Sequence, residues 1–156
     1  MTVTPHAPSL TFFARLEVEV ADPIDLGIVS GAHRRIVPIN GGTVHGPSIT
    51  GTVLPGGADF QVLHEDARQT LEAKYAFVTD DGVRIYVENQ GIRTGSAADL
   101  ALLAQGETVD PARIYFRSYP QFSAPAGPWA WLGSRLFVGT GERHPDRVCL
   151  NVFVID

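Results

Sequence analysis

Short stretches in which apolar and polar residues alternate run along this chain, and Gly and Pro residues separate them. Such alternation is typical of β-strands, and the first predicted strand, Leu10 to Val20, reads LTFFARLEVEV and ends before Asp22-Pro23. Further strands are predicted over residues 31–40, 43–54 (one or two short strands), 58–64, 72–79, 83–90, 114–119, 134–140 and 147–155.

Two local signals are clearer than the rest. The residues Asp80-Asp81-Gly82 lie between two apolar runs and predict a β-hairpin. The segment from Ser96 to Gln105 begins with a residue suited to cap a helix, continues with good helix formers and ends before Gly106. One short helix is therefore expected near residues 96–105.

Glycines and prolines are concentrated between Arg34 and Gln61. Glycine permits positive φ angles and proline fixes φ without donating a hydrogen bond, so this region predicts strands bent at corners. Many short strands with one short helix favour an antiparallel barrel or sandwich, and the corners favour a small closed barrel. The predicted fold is all-β: a closed antiparallel β-barrel of about eight to ten short strands in one domain, with residues 1–9 as a loose N-terminal arm.

Composition limits the classes of partner and compartment. The formal charge of −5 argues against a nucleic-acid partner, which requires a basic face. No apolar stretch is long enough to span a membrane and the N-terminus lacks the features of a signal peptide, so a cytoplasmic protein without a membrane partner is expected. The only cysteine, Cys149, lies in a strand-like run, which predicts a buried thiol.

Three predicted strands carry apolar residues on both faces, namely the runs YAFVT, RLFVG and CLNVFVI. One face of such a strand fills the barrel, and the other must meet a helix, a loop or another subunit. We therefore expect a homo-oligomer, either a dimer or a tetramer.

Five separated segments resemble a single protein family. They read GAHRRIVPINGG, GPSITGTVLPGGADFQ, LEAKYAFVTDDGVRIYVENQGIR, PARIYFRSYPQF and WLGSRLFVGTGER. Over residues 10–155 the chain resembles the domain of unknown function 3237 family of bacterial and fungal proteins, also called uncharacterised protein family 0311. The resemblance implies a compact β-barrel that assembles into oligomers, with no settled general activity.

Asp59 and Gln61 are the first candidates for chemistry. On a strand that begins after the Gly56-Gly57 turn, their side chains point to the same face. A carboxylate at an apolar barrel mouth is costly unless it is paired or used, which favours a catalytic Asp59 beside a ligand-binding Gln61. The alternative is that Asp59 only caps the glycine turn.

Tyr86 and Glu88 share one face of the strand after the hairpin with Arg84 and Gln90. This polar face lies either outside the barrel or in its lumen. In the lumen, Glu88 would act as a catalytic base and Tyr86 as a hydrogen-bond donor toward a carbonyl substrate.

Tyr115 and Arg117 share one face of the following strand. Tyr115 is a candidate catalytic hydrogen-bond donor, and Arg117 is a candidate anion clamp because a guanidinium matches a carboxylate. The alternative is a structural ion pair of Arg117 with Asp59 or Glu88. Arg93 is a weaker ligand-binding candidate of the same kind.

Trp131 follows a Pro- and Gly-rich loop and is a candidate aromatic wall for a ligand, or else a plug at one barrel end. The histidines lie in separate segments without metal-ligand spacing, so no metal site is predicted. The chain has no glycine motif for nucleotide binding and no GxSxG motif, and we predict no cofactor.

Three functions remain open at this point. The favoured one is a cofactor-independent enzyme that moves a proton in isomerisation, cyclisation, lyase cleavage or hydration of a small apolar carbonyl or carboxylic-acid compound in the lumen. The second is a non-catalytic, lipocalin-like module that binds a small aromatic or lipid-like acid. The third is a structural oligomer whose polar lumen is a satisfied network. The fold alone does not decide among them.

Overall fold

Ten β-strands and one α-helix form the fold in a computed structural model, which describes residues 1–156. The elements are β1 (Leu10–Val20), β2 (Ile24–Val29), β3 (Ala32–His45), β4 (Thr50–Val53), β5 (Ala58–Leu63), β6 (Arg68–Thr79), β7 (Arg84–Thr94), α1 (Ala97–Ala104), β8 (Tyr115–Ser123), β9 (Phe137–Arg143) and β10 (Arg147–Ile155). Short 3-10 helices at Pro111–Arg113 and Ala130–Ser134 precede β8 and β9. Residues 1–9 are exposed and form neither strand nor helix.

The strands form one antiparallel sheet that closes on itself. Strand β1 pairs with β10 on one side and with β3 on the other, and this double pairing closes the barrel. Along one edge of β3 lie β1 and then β2, and along its other edge lie β4 and β5. Ten strands thus fill eight positions around a closed antiparallel barrel. The predicted fold class is confirmed.

A predicted corner lies where β3 changes its partners. The first half of β3 pairs with β2 and β5, and the second half pairs with β1 and β4. At Gly42, which has a φ of +137°, a Cβ atom would lie 1.9 Å from the backbone oxygen of Glu17 on β1. Only glycine combines this φ with so close an approach of two backbones, so the bend depends on it.

The predicted helix is present as α1. The side-chain oxygen of Ser96 accepts a hydrogen bond from the backbone N–H of Asp99 at 3.0 Å, as expected of a helix cap. Leu100 and Leu103 bury one face of the helix in a small apolar cluster. No helix of the structure has the length and apolar character needed to cross a membrane.

The interior of the barrel has two chemically different ends. At one end, aromatic rings from different strands pack edge to face, with the ring centres of Phe122 and Phe137 4.8 Å apart and those of Phe13 and Phe137 5.3 Å apart. Strands β8 and β9, which carry Phe122 and Phe137, also carry Ser118 and Arg143 at a polar cavity at the other end. The close-packed aromatic end therefore holds the walls of the polar end in place. Cys149 is buried and free, as predicted.

Candidate functional site

A cavity that is partly open to solvent lies at the polar end of the lumen. Ten of its 17 lining residues are hydrophobic. The lining side chains that carry polar atoms come from five neighbouring strands: Asp59, Gln61, Tyr75, Asn89, Arg93, Ser118 and Arg143. A mostly apolar pocket with a few convergent polar groups is typical of small-molecule sites, so this cavity is the candidate site.

A chain of hydrogen bonds fixes the position of Asp59. Nε and Nη2 of Arg35 donate to Oε1 of Gln61 at 3.2 and 2.7 Å. Nε2 of Gln61 then donates to Oδ2 of Asp59 at 2.8 Å. Arg35 is in turn held by the end of α1, where Nη1 donates to the backbone oxygen of Ala104 at 3.3 Å. Because an arginine only donates, Arg35 sets the orientation of the amide, and Gln61 presents its N–H groups to Asp59.

Asp59 keeps one oxygen atom free. Oδ1 is shielded from solvent and has no hydrogen-bond partner. Burial raises the pKa of Asp59, while the hydrogen bond from Gln61, the charge of Arg93, the nearby backbone N–H of Glu72 and the charge of Arg143 oppose the rise. A carboxyl group with a raised pKa and an unused oxygen is suited to exchange a proton with a ligand.

Arg93 is a buried cation inside the cavity wall, only 2% exposed. Its Nε donates to Oε1 of Gln69 at 2.8 Å, and its guanidinium lies 5.2 Å from the centre of the Phe116 ring. Burial lowers the pKa of Arg93 to about 10, which leaves the group charged at neutral pH. Gly141 makes room for the Phe116 ring, since a Cβ atom there would lie 2.7 Å from it.

Unsatisfied polar atoms are concentrated at this cavity. Five lining residues each have a buried side-chain oxygen or nitrogen without a hydrogen-bond partner: Asp59, Tyr75, Asn89, Ser118 and Arg143. Buried polar groups in folded proteins are nearly always paired, because an unpaired group costs about 1–3 kcal/mol. The clustering of such groups around one cavity makes this cavity the candidate ligand site.

The arginines around the cavity are not neutralised by direct ion pairs. None of the ion pairs of the structure includes Arg35, Arg93, Arg143 or Asp59. Burial lowers the pKa of Arg143, and the nearby charge of Arg35 lowers it further. No group of three or more His, Cys, Asp or Glu side chains in the structure is placed to share a metal ion.

The structure brings three sequence-predicted residues, Asp59, Gln61 and Arg93, together at the cavity. Tyr86 and Glu88 do not reach it. The inner positions of β7 hold buried residues that include Val87 and Asn89, so the alternate side chains point outward. There, the hydroxyl of Tyr86 donates to Oε1 of Glu88 at 3.0 Å. The expectation of a lumenal Tyr86 and Glu88 is wrong, and the alternative of a polar outer face is the observed arrangement.

Tyr115 and Arg117 also lie on the outer surface, because Phe116 and Ser118 occupy the inner positions of β8. The guanidinium of Arg117 lies 5.0 Å from the centre of the Tyr115 ring, and its Nη1 donates to the backbone oxygen of Phe116 at 2.8 Å. The expected placement of this pair in the lumen is wrong. The alternative, an ion pair between Arg117 and a carboxylate, is absent as well.

Trp131 lies at the aromatic end of the barrel, away from the cavity. Its ring packs edge to face on Phe13, with the ring centres 5.8 Å apart, and lies 6.2 Å from the ring centre of Phe137. Trp131 is not among the cavity-lining residues. Its expected role as a wall of the cavity is wrong, because the 3-10 helix that carries it covers the opposite end.

Sequence reasoning missed four cavity residues, Tyr75, Asn89, Ser118 and Arg143. A signal for them exists in the strand pattern. On β7, buried apolar residues alternate along one face, and Asn89 and then Arg93 continue that same face. An apolar strand face that becomes polar toward one end marks the end of the barrel at which a site can form.

The fold and the cavity define a class of protein, a small closed antiparallel β-barrel whose apolar lumen ends in a polar pocket. A family model described as "Protein of unknown function (DUF3237)" matches residues 8–155. The chain belongs to this family, which confirms the resemblance seen in the sequence.

Related proteins support the same assignment. The UPF0311 protein RPA1785 of Rhodopseudomonas palustris is 47% identical over 137 residues, which cover 88% of this chain and 90% of that protein. The crystal structure of RPA1785 matches with a TM-score of 0.94 at 44% identity, covering 98% of this chain and 100% of that chain. A "beta-barrel like protein" from Acinetobacter baumannii matches with a TM-score of 0.86 at 34% identity, covering 99% and 100% of the two chains.

A more distant structural neighbour is described as an enzyme from Penicillium herquei. It matches with a TM-score of 0.74 at 18% identity and covers 100% of both chains. At this level of identity the likeness shows the shared barrel fold alone.

Proposed function

We propose that the cavity binds a small, largely apolar carbonyl or carboxylic-acid compound and that Asp59 transfers a proton to or from it. The reaction class is a cofactor-independent isomerisation, cyclisation, lyase cleavage or hydration. The observation that carries this proposal is the free, buried Oδ1 of Asp59 beside a carboxyl oxygen that Gln61 holds in place.

The position of Asp59 supports proton transfer. Its Oδ2 is occupied by the Gln61 amide, so Oδ1 is the oxygen that can meet a ligand. A general acid or base must lie within hydrogen-bond reach of the proton it moves, and its pKa must lie near the working pH. The raised pKa of Asp59 brings this carboxyl group closer to neutral pH than an ordinary aspartate.

The other unpaired groups supply hydrogen bonds to the reacting compound. The hydroxyl groups of Tyr75 and Ser118 line the same cavity without partners and can donate, whereas the unpaired atom of Asn89 is Oδ1, which accepts. Donors that are fixed in place, shielded from water and aimed at a carbonyl oxygen stabilise the negative charge that develops when a neighbouring C–H proton is removed. Burial raises the pKa of Tyr75, so this phenol stays protonated and remains a donor.

A panel of aromatic and aliphatic keto, enol and carboxylic acids tests the proposal in two steps. Binding is measured first, as a rise in the unfolding temperature of the wild-type protein. Exchange of ligand C–H protons for deuterium in D2O is then followed by NMR for every compound that binds. We expect Asp59→Asn to lower the exchange rate about 10²- to 10⁴-fold, as is typical for loss of a general base.

Glu88→Gln is the matched control, because Glu88 is a half-buried carboxylate on the outer face. It is expected to exchange protons at the wild-type rate. Exchange that is equal in the wild type and in Asp59→Asn would contradict proton transfer by Asp59. Binding without exchange or turnover of any compound would favour the non-catalytic binding module instead.

Self-association into a dimer or tetramer stays a prediction, and the outer face of the barrel supports it. Large side chains remain exposed on neighbouring strands there, with exposed fractions of 46% for Phe60, 41% for Ile92, 55% for Tyr115 and 52% for Tyr119. Apolar outer patches of this kind often mark contact surfaces between subunits. Sedimentation equilibrium would measure the state, and a monomer at all concentrations would contradict the prediction.

A further inference from the structure

The charge of the cavity is unbalanced. Two guanidinium groups, those of Arg93 and Arg143, line it together with a single carboxyl group, that of Asp59. A third guanidinium, that of Arg35, lies behind Gln61 and is only 6% exposed. The protein as a whole carries a formal charge of −5, so this local excess of positive charge runs against the rest of the molecule.

No other acidic group compensates the charge at close range. The acidic side chains that act on these arginines besides Asp59 are Asp25, near Arg35, and Asp146, near Arg143. Both are exposed, and water screens exposed charges strongly. Tyr75, the remaining titratable group that faces Asp59, is neutral. Asp59 therefore offsets only part of the positive charge at the cavity.

A buried charge without a partner is costly, and proteins retain one where function requires it. Arg93 uses Nε for Gln69 and contacts the ring of Phe116, which leaves the two terminal nitrogens of its guanidinium without a protein acceptor. Arg143 has a buried Nη1 without a partner. Both groups thus keep N–H donors free at the same cavity.

We propose that the ligand of this cavity carries a carboxylate group, which Arg93 and Arg143 bind together. This inference rests on the proposed function and selects, within it, the carboxylic acid over the neutral carbonyl compound. A guanidinium presents parallel N–H donors that match the two oxygens of a carboxylate, and such charge-assisted bonds are stronger than neutral ones.

The surroundings favour a carboxylate on an otherwise apolar molecule over a phosphate ester. Ten of the 17 lining residues are hydrophobic, among them Val18, Val37 and Leu150. The hydrophobic walls remove apolar surface from water, and the two arginines fix the end that is charged. An aromatic or aliphatic monocarboxylic acid satisfies both parts of the cavity.

Matched pairs of compounds test this proposal directly. The probes are benzoate, phenylacetate and cinnamate, each compared with its own neutral carboxamide. These pairs have nearly the same size and differ in charge. Binding is measured from the rise in unfolding temperature over a range of ligand concentrations. We expect at least one carboxylate to bind the wild type about tenfold or more tightly than its amide, the size of one charge-assisted bond.

Arg143→Gln is the main variant, because Arg143 is half-buried and its loss disturbs the fold less than loss of the buried Arg93. It is expected to abolish the preference for the carboxylate while leaving binding of the amide within about twofold. Arg93→Gln is expected to do the same where it folds. Arg84→Gln, which removes an exposed arginine from the outer face of β7, is the matched control and should keep the preference.

The outcomes separate this inference from the proposed function. Equal binding of carboxylates and amides, or an equal effect of Arg143→Gln on both, would overturn the inference and leave proton transfer by Asp59 standing. If none of the six probes binds, the inference is also overturned. Loss of deuterium exchange in Asp59→Asn, measured on the wider panel of compounds, then decides the proposed function independently.

Discussion

The side-chain amide of Gln61 donates to Oδ2 of Asp59 at 2.8 Å, and it does so in an orientation that Arg35 imposes from the other side. Two residues that are adjacent on one face of β5 are thus joined to a cation on β3 and, through it, to the end of α1. The arrangement holds one carboxyl oxygen still and leaves the other without a hydrogen-bond partner.

Removing the amide should weaken the fold at the site. Gln61→Met keeps the length of the side chain, but it removes the acceptor of Nε and Nη2 of Arg35 and the donor to Oδ2 of Asp59. Two buried polar groups then lose partners, which is expected to lower the free energy of unfolding by about 2–5 kcal/mol. Urea unfolding at neutral pH measures the change. Gln121→Met, on the outer face of β8, is the control and should stay near the wild-type value.

Asp59→Asn should become more stable than the wild type as the pH rises. The pKa of Asp59 is raised in the folded state, so the folded protein holds this proton more tightly than the unfolded chain does. The wild type therefore loses stability as the pH rises above about 3.9, the pKa of Asp59 in the unfolded chain. The loss is complete once the pH exceeds the pKa of Asp59 in the folded protein. Asparagine cannot ionise and avoids it. We expect similar stabilities below about pH 4 and a more stable Asp59→Asn at neutral pH.

Substitution of Asp99 should change stability in the direction opposite to substitution of Asp59. Arg113 donates to Asp99 and lowers the pKa of that carboxyl group, so its ionised form stabilises the folded state. Asp99→Asn should therefore be less stable than the wild type at neutral pH, and the difference should shrink as pH falls through the folded pKa of Asp99. Unfolding free energies across the pH range compare both variants. If Asp59→Asn, like Asp99→Asn, is less stable than the wild type at neutral pH, the raised pKa of Asp59 is contradicted.

A side chain at Gly141 should disturb the position of Arg93, although the two residues lie on different strands. A Cβ atom at Gly141 would lie 2.7 Å from the ring of Phe116, which packs under the guanidinium of Arg93. Gly141→Ala is expected to cost about 1–3 kcal/mol of stability, as overpacking does, and to weaken carboxylate binding. Gly133→Ala is the control, because the nearest atom to its Cβ would lie 3.8 Å away. Equal effects of the two substitutions would contradict this role.

Substitutions on the outer face of the barrel should leave ligand binding and turnover unchanged. Tyr86→Phe, Tyr115→Phe and Arg117→Ala change residues that lie outside the barrel and do not contact the cavity. Each is expected to change stability by less than about 0.5–1 kcal/mol and to leave ligand affinity within about twofold. The same thermal and exchange assays check this. A large loss of activity in any of the three, with the fold intact, would place the reaction elsewhere.

The sequence was sufficient for the elements whose signals are local. The hairpin at Asp80-Asp81-Gly82 joins β6 to β7 with Gly82 at a φ of +88°, and the cap at Ser96 begins α1. These features depend on a few adjacent residues and on the turn conformations that those residues allow. The closed barrel followed from the number of short strands and from the glycine corners.

The site was predicted only in part, because alternation identifies two faces without showing which one is inside. On β5 the polar face is the inner one, and Asp59 and Gln61 line the cavity. On β7 the polar pair Tyr86 and Glu88 is satisfied on the outer face by its own hydrogen bond. The inner face there begins apolar and becomes polar only at Asn89, since the barrel changes from packed core to cavity along its axis.

Measuring the pKa of Asp59 itself tests most directly whether this residue has the properties of a proton-transfer group. Carbon NMR of the side-chain carboxyl group, assigned by its loss in Asp59→Asn, would follow the titration in the wild type and in Arg143→Gln. We expect a pKa above the ordinary value of about 3.9 and a further rise in Arg143→Gln, because a neighbouring positive charge that favours the carboxylate is removed. A pKa at or below the ordinary value that does not respond to Arg143→Gln would contradict the buried, ligand-facing Asp59 on which the proposed function depends.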